Sequence, residues 1–370
     1  MLEVVHNSLV KSTRNLLENC AGCEAGQSVL FIHETENDGY YDPALPEMVA
    51  KAAKQLDYQS ELYGVALHKQ ATQLAPDLVA RIERADCAVF LGRLGDQIRF
   101  RPNALKSAQV MCHALDCEMM GSPFGETDYH AFAALEQIVS KAMSTARDIH
   151  VTCPAGTDYR GSVGSSKTSA CDTALKRFPL SVFKPVSSAG FKGRIAQTGF
   201  LTGTGSSFYT PWTCEIRDTL FVRISGSRIQ GFDGTKQDIK SARAHYEFVG
   251  RILNLDTYAV HSWHAGIHPG LSYKQKAARH FERWSGGAFG NPRILHLHTC
   301  GTEPPGEISL NVLDPTVRLD GVAIWENGRL FPERLAGGAA LLSRYPEMKE
   351  IFDNPRTSVG QSAGERLSYR

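Results

Sequence analysis

The sequence predicts a protein of mixed architecture: a small parallel-sheet α/β domain over residues 1–147, then a larger β-rich α+β domain over residues 148–370. In the first part, short continuous apolar runs alternate with helical patterns, which is typical of βαβ units. In the second part, short β-leaning runs and glycine turns surround one long helix. The length of 370 residues also favours two domains.

The elements of the first part follow from hydrophobic spacing. Apolar residues at helical intervals predict a helix over residues 2–19 that ends near Gly22. Continuous apolar runs predict buried parallel strands, with helices between them. The predicted strands are 28–33, 60–65, 87–91 and 108–114, and the further helices are 43–56, 75–85 and 129–146. No glycine-rich phosphate loop follows the first strand, so we predict no nucleotide cofactor.

In the second part, turn residues separate short strands. The predicted strands are 148–153, 191–201, 215–224, 227–232, 322–325 and 329–331, and the long helix covers 238–255. Ser225-Gly226 and Asn327-Gly328 each lie between two of these strands. Such dipeptides are typical of β-hairpins, because glycine and asparagine tolerate the positive φ angles of tight hairpin turns.

Composition excludes several function classes. The net charge is +1 and there is no long basic run, so binding to nucleic acid has no electrostatic support. No apolar run reaches the length of a membrane span, and the N-terminal sequence lacks a secretory pattern. The nine cysteines are scattered, which favours a reducing, cytoplasmic setting. We expect a small-molecule substrate as the partner, and the sequence leaves homo-oligomerisation open.

Histidines cluster in the second part, where six of the thirteen fall between residues 261 and 298. The six are His261, His264, His268, His280, His296 and His298. Neutral imidazole is the commonest metal ligand in proteins. On a strand, residues two apart share a face, which would align His296 with His298 and also Glu307 with Ser309 and Asn311. Two such strands side by side would present imidazoles and a carboxylate to one pocket.

A structural role is the alternative for each of these histidines. An isolated histidine in an apolar strand is commonly a hydrogen-bonded core residue, and His280, in a polar helical stretch, is predicted to lie at the surface. Glycines surround the other five histidines and favour a functional site, because loops around sites need tight turns and close backbone approach.

Three segments carry a resemblance to a known family. They are ARDIHVTCPAGTD at residues 146–158, the hairpin before the long helix, and VHSWHAG at residues 260–266. Together with the N-terminal α/β half they cover most of the chain and resemble the aminopeptidase T metallopeptidases and their relative, 2,5-dihydroxypyridine 5,6-dioxygenase. The resemblance implies a small α/β domain joined to a metal-binding domain. It implies two divalent metals in the peptidases and one non-haem iron, held by two His and one Asp, in the dioxygenase.

The resemblance also implies site residues, and the chain departs from them. His264 falls at the first iron histidine of the dioxygenase, and His298 falls near a later metal histidine of the peptidases. The family's final His-x-Asp corresponds to Ser309-Leu310-Asn311, and a peptidase glutamate is replaced within residues 183–188. Neither the ligand set of the dioxygenase nor that of the peptidases is complete in this chain. The missing ligands affect a two-metal peptidase site most, because such a site needs several carboxylates.

These patterns predict one metal site with relocated ligands. We predict His264, His298 and Glu307 as the metal ligands, because two His and one carboxylate with open positions is the arrangement of Fe(II) oxygenases. The predicted catalytic residues, which would assist the ligands or move a proton, are His261, His268 and His296.

The favoured cofactor is a divalent metal, Fe(II) before others, and the favoured function is a mononuclear non-haem iron oxygenase acting on a small polar or heteroaromatic substrate. Two alternatives stay open. One is a metallo-aminopeptidase-like hydrolase, in which the metal activates water. The other is a non-catalytic homologue that binds a peptide or small ligand, which the loss of the His-x-Asp pair favours.

Overall fold

The computed structural model describes residues 2–68, 73–99, 105–163, 175–204, 206–301, 307–361 and 366–370, with side chains from residue 7 onward. The chain divides into two compact units. Unit 1 comprises Met1–Ala133 and Cys171–Leu180, and unit 2 comprises Ala134–Ala170 and Ser181–Arg370. The chain therefore returns to unit 1 once after leaving it. The division of the chain into domains over residues 1–147 and 148–370 stays a prediction.

The described helices are α1 (Leu2–Arg14), α2 (Ala44–Gln55), α3 (Pro76–Arg84), α4 (Arg93–Ile98), α5 (Cys117–Met120), α6 (Pro123–Glu126), α7 (Tyr129–Thr145), α8 (Lys236–Leu253), α9 (Phe281–Ala288), α10 (Gly338–Arg344) and α11 (Pro346–Asp353). Five of them, α1, α2, α3, α7 and α8, coincide with the five helices predicted from the sequence. A π-helical segment, Asn15–Ala21, continues α1 and ends at Gly22, whose φ is +81°. Short 3₁₀ turns occupy Ala277–Arg279 and Pro332–Arg334. Among the helices described, none is long and apolar enough to cross a membrane.

The strands divide between the two units. They are β1 (Ser28–Glu34), β2 (Gln59–Val65), β3 (Cys87–Leu91), β4 (Ala108–Cys112), β5 (Ile149–Thr152), β6 (Asp158–Gly161), β7 (Lys176–Phe178), β8 (Val186–Ser187), β9 (Phe191–Leu201), β10 (Cys214–Ser225), β11 (Arg228–Asp233), β12 (Val260–Ala265), β13 (Ile294–Thr299), β14 (Ile308–Leu313), β15 (Thr316–Leu319), β16 (Val322–Glu326) and β17 (Arg329–Leu330).

Unit 1 contains a five-stranded parallel sheet in the order β2-β1-β3-β4-β7. Every residue of β3 is buried, which is why this strand reads as a continuous apolar run rather than an alternating one. Strand β7, which was not predicted, pairs in parallel with β4 through Val110 and Lys176. The predicted parallel-sheet α/β fold class is confirmed.

Unit 2 contains an eight-stranded antiparallel sheet in the order β11-β10-β9-β6-β5-β15-β16-β17. Both predicted hairpins are confirmed in it. Ser225 pairs with Arg228 around Gly226, and β16 pairs with β17 around Asn327-Gly328, whose φ angles are +49° and +77°. Positive φ at both central residues is what an Asn-Gly turn supplies at low cost.

A four-stranded antiparallel sheet in the order β14-β13-β12-β8 completes unit 2 and carries the clustered histidines. All six residues of β13 are buried, as are five of the six residues of β14. Leu295 and Leu297 alternate with His296 and His298 along β13, so the leucines fill one face of the sheet and the imidazoles occupy the other. The β-rich character predicted for the second part is confirmed.

Candidate metal centre

The register of the four-stranded sheet places polar side chains on one face. The Cα partners across the strands are His264 with His296, Ser262 with His298, His296 with Asn311, and His298 with Ser309. Directly opposite residues in an antiparallel pair point to the same face, with Cβ atoms about 4.5–5.5 Å apart. Three imidazoles from two adjacent strands therefore meet on this face, and the hydroxyl and amide of β14 lie beside them.

The imidazole nitrogens of the three histidines converge. His264 Nε2 lies 2.7 Å from His296 Nε2 and 3.2 Å from His298 Nε2. The three residues are buried, and each offers a nitrogen within 4.8 Å of the others, as a metal site requires. The second half of the sequence thus brings together residues that are 34 positions apart in the chain.

Two of these imidazoles are fixed from behind by oxygen atoms. His264 Nδ1 lies 2.9 Å from the main-chain oxygen of Phe183, and His298 Nδ1 lies 2.8 Å from Glu307 Oε1. The Phe183 carbonyl only accepts hydrogen bonds, so its contact requires a proton on Nδ1 of His264. The Nε2 atom of a neutral His264 then carries a lone pair, and this atom faces the Nε2 atoms of His296 and His298. The contact of His298 Nδ1 with Glu307 has an ion-pair distance but not the geometry of a hydrogen bond.

This donor set fits a divalent ion. A nitrogen lone pair that faces two further imidazole nitrogens at 2.7 and 3.2 Å is stabilised by a proton or a cation that lies between them. Neutral imidazoles suit Zn, Fe, Cu and Ni ions.

Glu307 lies behind His298. Its Oε1 contacts Nδ1, on the opposite edge of the imidazole from the Nε2 atom that faces His264. Its Oε2 accepts a hydrogen bond from the Thr204 hydroxyl, and its main-chain oxygen accepts one from the Tyr209 hydroxyl at 3.0 Å. Thr204 thus holds one carboxylate oxygen of Glu307, and the other lies against His298 Nδ1, in the position that acceptors behind metal-binding histidines commonly occupy.

Aromatic rings pack against two of the three imidazoles. The Phe289 ring lies 4.3 Å from the His296 ring, and the Phe183 ring meets the His264 ring edge-on at 6.2 Å. Burial raises the pKa of Tyr209 well above its usual range, so its hydroxyl stays protonated and able to donate to Glu307. An apolar shell of this kind restricts access of water to a site.

Cys300 follows the histidine strand, but its sulfur is not among the ligand atoms that converge. Its thiol instead contacts the main-chain oxygen of Tyr246 at 4.0 Å, and burial raises its pKa to about 12. Within the described residues, the group able to hold an ion therefore consists of the three histidines His264, His296 and His298.

The other predicted histidines lie outside this group. His261 is half-buried at a β-bulge, where the register shifts between Val260 and Ser262, and its Nδ1 lies 2.9 Å from the Ser262 hydroxyl. His268 is fully buried after β12, and its Nδ1 accepts a hydrogen bond from the Gly270 main chain at 3.2 Å. Their predicted roles in proton transfer stay predictions.

Sequence reasoning missed three contributors to the site. Thr204 lies in a polar glycine-containing segment that gave no signal, and Phe289 looked like an ordinary apolar residue. Phe183 opens the segment in which the expected peptidase glutamate is replaced, and its main-chain carbonyl, not a carboxylate, supports His264. Main-chain oxygens carry no residue-type signature, so no sequence pattern could have identified this contact.

Comparisons with known proteins give a likeness in structure. No protein-family model and no curated protein sequence matches the chain. The solved structure of 2,5-dihydroxypyridine dioxygenase from Pseudomonas putida KT2440 is similar, with 15% sequence identity and a TM-score of 0.57, over 88% of this chain and 98% of that chain. AmpT from Thermus thermophilus aligns at 13% identity with a TM-score of 0.48, over 88% of this chain and 99% of that chain. Over most of its length the chain has the fold of the dioxygenase, which confirms at the level of the fold the resemblance drawn from its sequence.

Proposed function

We propose that the chain is a metal-dependent enzyme in which His264, His296 and His298 hold a single divalent ion. The observation that carries this proposal is the convergence of the three imidazoles, with the Nδ1 atoms of two of them fixed by Phe183 and Glu307. In this assignment His296 takes the ligand position first predicted for Glu307. Glu307 instead orients His298.

The composition of the group supports one ion over two. Two-metal hydrolytic sites hold ions about 3.5–4 Å apart and use carboxylates to bridge them. The histidine group contains no carboxylate among the residues that the structure describes, and the nearest one, Glu307, is engaged behind His298. Three ligands on one face leave further positions around an ion open to substrate, as in catalytic sites.

The reaction that we favour is oxygenation of a small polar or heteroaromatic molecule, with Fe(II) as the ion. The fold shared with a dioxygenase named for a heteroaromatic diol supports this choice. Bound Fe(II) would supply the one-electron chemistry that activates O₂. The chain itself orients the ligands through Phe183 and Glu307 and excludes water with the Phe289 ring. His261 and His268 remain the proposed proton donors.

A hydrolase is the second candidate, and the ligand set itself favours it. Three neutral histidines with an open fourth position also hold catalytic zinc, which lowers the pKa of bound water to about 7. The geometry of the three imidazoles is compatible with either ion, so the identity of the metal decides between the two reactions. A protein that binds no metal would correspond to the non-catalytic alternative.

The deciding experiment is metal analysis of the full chain, purified without chelator and without nickel affinity, alongside His298→Ala. We expect about one Fe per chain, lost in the variant, and consumption of O₂ when 2,5-dihydroxypyridine is supplied as a probe substrate. One Zn per chain without O₂ consumption would support the hydrolase, and two ions per chain would support a peptidase-like site. Absence of metal from protein reconstituted with Fe(II) and with Zn(II) would overturn the proposal.

A further inference from the structure

Asn311 presents a buried amide on the same face as the histidines. The residue is 3% exposed, and its Nδ2 atom has no hydrogen-bond partner among the residues that the structure describes. Its side-chain oxygen and its main-chain N–H are both engaged. Its Oδ1 accepts a hydrogen bond from the Ser309 hydroxyl at 2.8 Å, and its main-chain N–H donates to Gln197 Oε1 at 2.7 Å. A buried donor without an acceptor is unfavourable, and sites that tolerate one commonly await a ligand.

The register locates this amide beside the candidate metal ligands. Asn311 is the direct cross-strand partner of His296, and Ser309 is that of His298. Such partners share a face, with Cβ atoms about 4.5–5.5 Å apart. The Asn311 side chain therefore lies next to the imidazoles that converge on the proposed ion.

The bond from Ser309 to Oδ1 leaves Nδ2 as the unpaired end of the amide. Ser309 is fully buried, so its hydroxyl has no competing solvent contact, and it holds Oδ1. Because the amide group is planar, Nδ2 is directed away from Ser309. The group left over on this face is thus a neutral hydrogen-bond donor rather than an acceptor.

We propose that Asn311 Nδ2 forms, together with the metal centre, a subsite for an anionic oxygen of the substrate, such as a phenolate, enolate or carboxylate oxygen. This inference rests on the proposed function. A neutral donor beside a cation favours an anionic oxygen, because hydrogen bonds to ionised acceptors are the stronger ones. The Nδ2 donor does not strengthen the binding of a ligand that presents only nitrogen or carbon atoms to it.

A purely structural role for Asn311 does not account for its unpaired Nδ2 donor. The structural contacts of Asn311 use its main-chain N–H and Oδ1. The Asn311→Leu variant tests the free end of the amide. It keeps the number of side-chain heavy atoms and the main-chain bond to Gln197, but it removes the Nδ2 donor and, with it, the acceptor of the Ser309 hydroxyl.

The test uses the full chain loaded with Co(II), whose visible absorption reports ligands that enter the metal site. The probes are acetate, which offers an anionic oxygen, and imidazole, which offers a neutral nitrogen. We expect Asn311→Leu to bind Co(II) within about threefold of the parent protein. Its affinity for acetate should fall about 10–100-fold, as expected for one lost hydrogen bond to a charged group, with its affinity for imidazole unchanged.

Two further variants complete the design. Asn311→Asp should bind Co(II) more tightly and acetate more weakly, because a carboxylate adds negative charge and removes the donor. Ser262→Ala removes a hydroxyl from the same face that already contacts His261, so its acetate affinity should match the parent protein.

Each outcome decides the proposal. If Asn311→Leu keeps its acetate affinity, or loses acetate and imidazole affinity equally, the subsite is wrong while the metal centre stands. If the parent protein does not bind Co(II), the metal centre itself fails and the subsite fails with it.

Discussion

Glu307 Oε1 lies 2.8 Å from Nδ1 of His298, on the edge of the ring opposite the Nε2 atom that faces His264 at 3.2 Å. A carboxylate in this position would act on the proposed ion through the imidazole, by orienting the ring and raising its basicity. Thr204 holds the second carboxylate oxygen, so the orientation of His298 depends on a chain of two contacts rather than one.

The first prediction concerns this contact. Glu307→Ala should weaken divalent metal binding by about 10–100-fold without abolishing it, which is the usual effect of removing an outer acceptor. Glu307→Gln should weaken binding less, because its amide oxygen can still accept from Nδ1. Competition titrations with a chromophoric chelator would measure both affinities. Complete loss of metal in Glu307→Gln would instead identify the carboxylate as a direct ligand.

The second prediction concerns the three histidines. His264→Ala, His296→Ala and His298→Ala should each abolish metal binding, because each removes one of three converging nitrogens. His261→Ala and His268→Ala serve as matched controls from the same cluster and should weaken binding without abolishing it. Metal content would be measured by elemental analysis, and circular dichroism would verify folding. Retention of metal by His296→Ala, with loss in the other two, would return the ligand set to the one predicted from the sequence.

The parts of the fold that were predicted correctly are those set by local pattern. Strand β3 was predicted residue for residue, because a strand buried on both faces is a continuous apolar run. The Asn327-Gly328 hairpin follows from the positive φ angles that its turn requires. Strand β7 was missed because its three residues have no periodicity of their own and pair with β4, which lies more than sixty positions earlier.

The site was predicted in part for the same reason. Clustering singled out His264 and His298, and alternation correctly placed His296 on the face of His298. The chain cannot reveal which strands are neighbours or their register, and a slip of one residue moves every side chain to the other face. The pairing of His264 with His296 shows that His296 belongs to the converging group. The contact of Glu307 with Nδ1 of His298 shows that this carboxylate lies on the far side of the His298 ring.

The third prediction concerns the dependence of stability on pH. His245 is 6% exposed, and burial lowers its pKa to about 4, compared with about 6.5 in an unfolded chain. Between about pH 6.5 and about pH 4 the unfolded chain binds a proton at this histidine and the folded chain does not. Stability therefore falls as the pH drops from about 6.5 to about 4. The shift of about 2.5 pKa units corresponds to about 3 kcal/mol.

Replacing His245 removes this linkage. The parent protein and His245→Gln should both lose stability between pH 7 and pH 4. We expect the loss in the free energy of unfolding to be about 3 kcal/mol smaller for His245→Gln than for the parent protein. Urea denaturation at both pH values would measure the difference. His130→Gln is the matched control, because His130 is exposed and its replacement should leave the pH dependence unchanged. Equal losses in all three proteins would show that His245 is solvated in the folded state.

The last prediction uses Ser309 and Asn311, which the sequence resemblance aligns with the His-x-Asp pair of the dioxygenase and peptidase family. Both residues are buried, and both lie on the histidine face, opposite His298 and His296. Asn311→Asp changes no volume and adds a carboxylate beside three imidazoles. We expect it to destabilise the metal-free protein, because an unpaired buried charge is unfavourable, and to raise its affinity for divalent metal. The increase in melting temperature on adding Zn(II) should therefore be larger than in the parent protein.

Ser309→His combined with Asn311→Asp should raise the affinity for divalent metal further, although the larger side chain at a fully buried position should cost about 1–3 kcal/mol of stability. Asn311→Leu controls for loss of the amide alone. A Zn(II)-induced increase no larger in Asn311→Asp than in Asn311→Leu would mean that the side chain at position 311 does not reach the ion.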